Sequence, residues 1–256
     1  ALWALHRNPD GPGRLSQLAW LWGGTLLFLT ASLPAQFHDD WLTVGLGLEG
    51  AALIWLFGRL PHTGLRGVGV ALLVVAFGRL ILHARVLSAA TSTGTPVWNT
   101  ILAVYGIVSV ALIFGAVRLA RDQASSDSRA GSRLLYALGT ILLFLLVNLE
   151  IADAFTPEGG FVKLEFSGDF ARDMTHTISW AVFALILVGV GFWRRNVAPR
   201  YAGLTLLGIT LLKLFFWDLK NLGAPYRIGA LFAVAVIAIL ASLAYQRFLP
   251  QGESKG

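Results

Sequence analysis

The segment RYAGLTLLGITLLKL, residues 200–214, decides how the chain is read. One arginine opens it, twelve uncharged residues follow, and Lys213 then interrupts an apolar run that continues through LFFW. An uninterrupted apolar stretch approaching about 20 residues is a membrane-spanning helix rather than a solvated one. A second segment, RGVGVALLVVAFGRL from Arg66, has the same plan. Arg66 matches Arg200, Gly69 matches Gly203, Leu72 and Leu73 match Leu206 and Leu207, and Arg79 matches Lys213.

Working outward, the same composition recurs along the whole chain. Of 256 residues, 56% are hydrophobic and 13% charged, whereas soluble domains carry about 25% charged residues. The excess is spread over many runs, unlike a signal peptide. The net charge of +6 sits in short basic clusters between apolar runs, which is a topology signal and not a nucleic-acid surface. With no cysteine present, disulfide and thiolate chemistry are excluded. Ala1 is not an initiator methionine, and a fragment or a chain preceded by further spans is expected.

Eight apolar segments are expected to span, at about 15–34, 41–59, 66–84, 97–118, 133–153, 174–193, 201–219 and 226–246. The breaks between them carry turn residues or charge, as in PAQFHDD, GRLPHTGLR, RDQASSDSRAGSR and NLGAP. The expected fold is all-α: a single polytopic transmembrane bundle of two parallel four-helix repeats, with halves at about 13–120 and 131–248. Alternate loops hold 13 of the 20 basic residues, and the opposite loops hold Asp39, Asp40, Asp153, Glu158, Glu165, Asp169 and Asp173. By the positive-inside rule both termini are cytoplasmic. Trp20, Trp41, Trp193, Trp217 and Tyr245 suit interfacial anchors.

The stretch LLKLFFWDLKNLGAPYRIGAL (211–231) also carries a family resemblance, through Lys213, Asp218, Leu222, Tyr226 and Arg227. With VNLEIADAF (147–155) and TPVWN (95–99) fitting more loosely, the chain resembles the bacterial membrane-protein family filed as domain of unknown function 2339. The resemblance is strongest over 171–248 and implies a bacterial inner-membrane location. Members of that family are usually longer and have more spans. The family is uncharacterised, so the resemblance implies no activity.

The candidate site residues are the polar groups within or beside the spans: Glu49, Arg79, His83, Glu150, Asp153, His176, Lys213, Asp218 and Arg227. An ionised side chain in the bilayer core costs about 2.5–3.5 kcal/mol on insertion scales, so each needs a partner, water or a ligand. Asp218 lies five residues after Lys213, about 140° round a regular helix, and faces away from it. Lys213 is therefore expected to take a partner from another helix, with Glu150 first and Asp153 next. Glu49 lies about 15 Å and Arg79 about 20 Å above the cytoplasmic boundary, when Arg59 and Arg66 are taken to mark that boundary. The two are expected to pair, with the glycines of GLGLEG (45–50) admitting a close helix approach. Asn99, Tyr105 and Asn148 are expected to be interhelical hydrogen-bond donors.

The polar residues read either as paired bundle residues that fix helix packing or as the lining of an outward-facing cavity. Three function classes stay open: transport or flipping of an amphipathic or anionic solute, an outer-leaflet enzyme acting on lipid-linked substrates, and a non-catalytic scaffold. Membrane lipids are the expected partners, with membrane proteins or further N-terminal spans as candidates and no nucleic acid. No motif calls for a cofactor, and Asp173 with His176 at i, i+3 gives two ligands without a third. HDD (38–40) invites only an analogy with loop carboxylates of membrane glycosyltransferases. GGFVKLEFSG (159–168) alternates like a short strand.

Overall fold

Apolar runs bounded by side-chain caps become helices in the order in which the sequence presents them. The computed structural model describes residues 21, 24–25, 39–59, 62–84, 99–122, 125–162, 164, 169–218, 232, 235–236, 239–240 and 242–243. The helices among these are α1 (Asp39–Phe57), α2 (Thr63–Ala84), α3 (Thr100–Arg121), α4 (Ser126–Ala154), α5 (Phe170–Trp193) and α6 (Val197–Lys213). A π-helical turn, Leu214–Asp218, continues α6. They correspond to the second to seventh expected spans. The first, 15–34, and the eighth, 226–246, fall mostly outside the described residues, as does most of the second half of GGFVKLEFSG.

Among the described residues five helices are long and apolar enough to cross a membrane: Thr63–Leu82, Thr100–Arg121, Ser126–Ala154, Phe170–Trp193 and Val197–Phe216. The apolar part of α1, Trp41–Phe57, is shorter. The starts of α2 to α6 are capped by polar side chains that satisfy a free backbone N–H. Asn99 Oδ1 accepts from Leu102 N at 2.7 Å, Ser125 Oγ from Ser128 N at 3.1 Å, Asp169 Oδ1 from Ala171 N at 3.0 Å, and Asn196 Oδ1 from Ala198 N at 3.1 Å. His62 does the same for α2, its Nδ1 accepting from Gly64 N at 3.2 Å.

The described residues fall into two compact units, residues 1–165 and 166–256. In the first, α1 packs on α2 and α3, and α4 packs on α3 and α2. The glycines set the registers. A Cβ on Gly50 would lie 2.9 Å from the Gly69 carbonyl oxygen, and one on Gly69 would lie 3.0 Å from that of Gly50, so α1 and α2 touch backbone to backbone. Gly115 is the meeting point of three helices, its absent Cβ leaving room for Leu73, Ile54 and Leu135 at 3.0–3.2 Å. Around it Leu73, Ala76, Val108, Leu112, Ala116, Leu135 and Leu142 form a closed apolar core.

This order brings Arg59, Arg66, Arg118, Arg121, Arg129 and Arg133 to one end of the α1–α4 bundle. Arg66 locks that end. Its guanidinium donates to Asp127 Oδ2 at 2.9 Å, Ser125 Oγ at 2.8 Å and Ser128 Oγ at 3.2 Å. Ser128 Oγ in turn donates to Asp122 Oδ2 at 2.6 Å. In sequence Arg66 reads as a topology charge only; here it also ties α2 to the α3–α4 turn. In the second unit α5 and α6 form a hairpin, turned at Arg195 in the left-handed region (φ 49°). Arg200 closes the turn, donating from Nε to the Gly191 carbonyl at 3.0 Å and lying 4.4 Å from the Phe192 ring centroid.

Candidate functional site

Several contacts of the α1–α2 hairpin recur in the α5–α6 hairpin at an offset of 134 residues. The contact of Gly69 with Gly50 O and Ile54 recurs as Gly203 with Ala184 O and Val188. The His62 cap of α2 recurs as the Asn196 cap of α6. Most relevant to chemistry, Arg79 Nε donates to Thr43 Oγ1 at 3.3 Å, and Lys213 Nζ donates to Thr177 Oγ1 at 2.8 Å; each pair is 36 residues apart. Each hairpin thus carries a cation on its second helix, seated on a threonine of its first.

The sequence-based pairing of Glu49 with Arg79 is not formed, and the reason is depth. Arg79 lies 16 residues beyond the start of α2 and Glu49 only 8 before the end of α1. The two therefore sit about 24 Å and 12 Å from the shared turn. Taking Arg59 and Arg66 as level placed Arg79 too low, because Arg66 is already one turn into α2. Thr43, level with Arg79, takes its hydrogen bond. Glu49 is only 4% exposed, and its Oε1 is buried with no hydrogen-bond partner. The equivalent position in the second hairpin is Phe183.

Around Lys213 the second unit gathers several polar groups. Lys213 Nζ also donates to the Asp173 carbonyl oxygen at 3.3 Å and lies 6.0 Å from the Trp180 ring centroid. Another helix does supply the partners, but the Asp173 contribution is its backbone and not its carboxylate. His176, one residue before Thr177, is fully buried. Directly after Lys213 the helix widens into the π-helical turn, a feature frequent at functional sites. Asp218 ends that turn with its side chain outside the described residues, and Arg227 lies outside them altogether. His83 lies in α2, its side chain likewise not described.

Glu150 and Asp153 come together at the end of the α1–α4 bundle remote from the arginines. The Asn99 amide bridges them, donating to Glu150 Oε2 at 3.2 Å and Asp153 Oδ2 at 2.9 Å. Asn99 is an interhelical donor as expected, and so is Tyr105, whose hydroxyl donates to Leu80 O at 3.2 Å. Asn148 donates within its own helix, to Phe144 O at 2.7 Å. Among the described residues no cluster of three His, Asp or Glu side chains has the arrangement to hold a metal ion.

Thr43, Thr177 and Trp180 are the residues sequence reasoning missed. The signal was available: extending the offset that aligns Arg79 with Lys213 back by 36 residues aligns Thr43 with Thr177. No curated protein and no solved structure matches the chain. The family model described as "Predicted membrane protein (DUF2339)" matches residues 59–248, and the chain belongs to that family of multi-pass helical membrane proteins.

Proposed function

We propose that the protein binds an anionic amphiphile within the membrane and carries its head group across, with Arg79 and Lys213 as the attracting cations. The observation that carries this reading is the pair of threonine-seated cations at equivalent places in two equivalent hairpins. A threonine hydroxyl orients each cation, and a cation placed within an apolar span attracts an anionic head group. Trp180 beside Lys213 adds an aromatic face suited to the apolar part of such a ligand. The equal offset of caps, glycine contacts and cations supports two parallel repeats. The gathering of arginines at one end of α1–α4 supports cytoplasmic termini in a bacterial inner membrane.

The enzyme reading draws on one observation, the Glu150 and Asp153 carboxylates held by a single amide. Two adjacent carboxylates are the equipment of acid–base chemistry. One set of measurements separates the readings. The purified chain in lipid nanodiscs is titrated with anionic and zwitterionic phospholipids by native mass spectrometry. Proteoliposomes carrying a head-group-labelled anionic lipid then report its movement between leaflets. Selective binding of the anionic lipid, lost at least tenfold in Arg79→Met and Lys213→Met and accompanied by movement, is expected. Equal binding of both lipids overturns the proposal. Head-group cleavage abolished by Glu150→Gln would transfer the assignment to the enzyme reading.

A further inference from the structure

We propose that Glu49 is the ligand of a small monovalent cation, H+ or Na+, taken up into the α1–α4 bundle. Glu49 lies mid-helix, about 12 Å from the end of α1. It is 4% exposed, and its Oε1 is buried without a hydrogen-bond partner. A carboxylate in such a place, without a positive charge or donors, is a costly state that folded proteins avoid by pairing it or binding a cation.

The charged groups described on the packed helices are engaged elsewhere or lie at the helix ends. On α2, Arg79 donates to Thr43, and Arg66 sits at the far end with Asp127. On α3, Tyr105 donates to Leu80 O, and Arg118 and Arg121 lie in the last turn. On α4, Glu150 and Asp153 are held by Asn99 at the opposite end from Arg129 and Arg133.

The local sequence serves the same end. Gly47 lets α1 approach Val108 on α3, and Gly50 lets it touch α2, so the helix carrying Glu49 is held tightly on two sides. That packing keeps bulk water from supplying the missing partner. The second hairpin has Phe183 at the equivalent position. The acid is therefore not a requirement of the hairpin's packing, which both copies achieve.

The test uses the whole chain in nanodiscs, without added anionic ligand, so its outcome does not depend on the reading of Arg79 and Lys213. Dicyclohexylcarbodiimide, an apolar reagent that attacks protonated carboxyls, is applied across a pH series with either sodium or choline chloride. Modification at Glu49 is read by peptide mass spectrometry. Labelling that rises several-fold with acidity and is indifferent to sodium supports H+ as the ion. Labelling suppressed several-fold by sodium, but not by choline, supports Na+. Absence of label at Glu49, or labelling indifferent to both pH and sodium, overturns the proposal. Glu49→Gln gives a second measure: a folded variant that loses the sodium or pH dependence of wild-type thermal stability supports the site, and an unchanged dependence overturns it.

Discussion

Lys213 reaches back 36 residues to the hydroxyl of Thr177, and Arg79 reaches back the same distance to that of Thr43. An ordinary interhelical pair recurs neither with the same spacing nor with the same chemistry, so the threonine is part of how each hairpin holds its cation. Removing the hydroxyl without changing shape isolates its contribution. Thr177→Val is expected to cost about 1.5–3 kcal/mol, the range for a hydrogen bond to a charged group. Thr43→Val should cost less, because its bond is longer, 3.3 Å against 2.8 Å. Serine at either position should restore most of the loss. Thermal unfolding in one detergent checks the ranking; equal losses for all four variants would refute it.

The glycine contacts predict a second equivalence. Adding a methyl group at Gly203 places Cβ 2.7 Å from the Ala184 carbonyl oxygen, and at Gly69 it lies 3.0 Å from that of Gly50. Neither neighbour is a flexible side-chain end, so the helices must separate. Gly69→Ala and Gly203→Ala are each expected to destabilise by about 1–3 kcal/mol, the usual cost of overpacking. Gly67→Ala and Gly208→Ala, where an added Cβ meets nothing within 4 Å, should be neutral or slightly stabilising by helix propensity. Circular dichroism melts of the four variants distinguish the two classes.

The six middle helices were legible because each is a long apolar run between turn residues, and the family from the motif around Lys213. The pairing of Glu49 with Arg79 was not, because depth counted from charges ignores how far each charge stands inside its helix. Arg66 is one turn beyond Thr63, and that single turn moved Arg79 out of reach. The Arg66 lock was hidden for a related reason: Asp127 and Ser125 lie in a stretch whose composition reads only as a polar loop. The π-helical turn after Lys213 has no composition signal, since LFFW is as regular a helix former as its neighbours.

The Arg66 lock gives a prediction in which the ion pair matters less than the hydroxyls. Asp127 is 75% exposed, against 14% for Arg66, so solvent screens the pair. Asp127→Asn should cost at most about 1 kcal/mol. Arg66→Met removes the donors to Ser125 and Ser128 as well, and an expected loss of about 2 kcal/mol or more follows from the two further hydrogen bonds made by a charged group. High salt should weaken only the Asp127 part. Denaturation at low and high ionic strength reads both effects.

The last prediction concerns orientation and Asn99 together. Ser126 is exposed at the start of α4, and Gly160 follows the far end of that 29-residue helix, so the two lie about 40 Å apart along its axis. The chain has no cysteine, so Ser126→Cys and Gly160→Cys introduce unique thiols. Ser128, fully buried, is unsuitable for the purpose. An impermeant maleimide added to intact cells should label position 160 and spare 126 until the membrane is opened. Labelling of both from outside would remove α4 as a span. In the same background, Asn99→Asp tests whether the Glu150 and Asp153 carboxylates at the end of α4 repel. The variant keeps an N-cap acceptor but removes the donor that joins Glu150 to Asp153 and adds a third negative charge. It should therefore be less stable than Asn99→Ser, which also caps, by about 1 kcal/mol or more. Equal stability of the two variants would mean that Asn99 acts only as a cap.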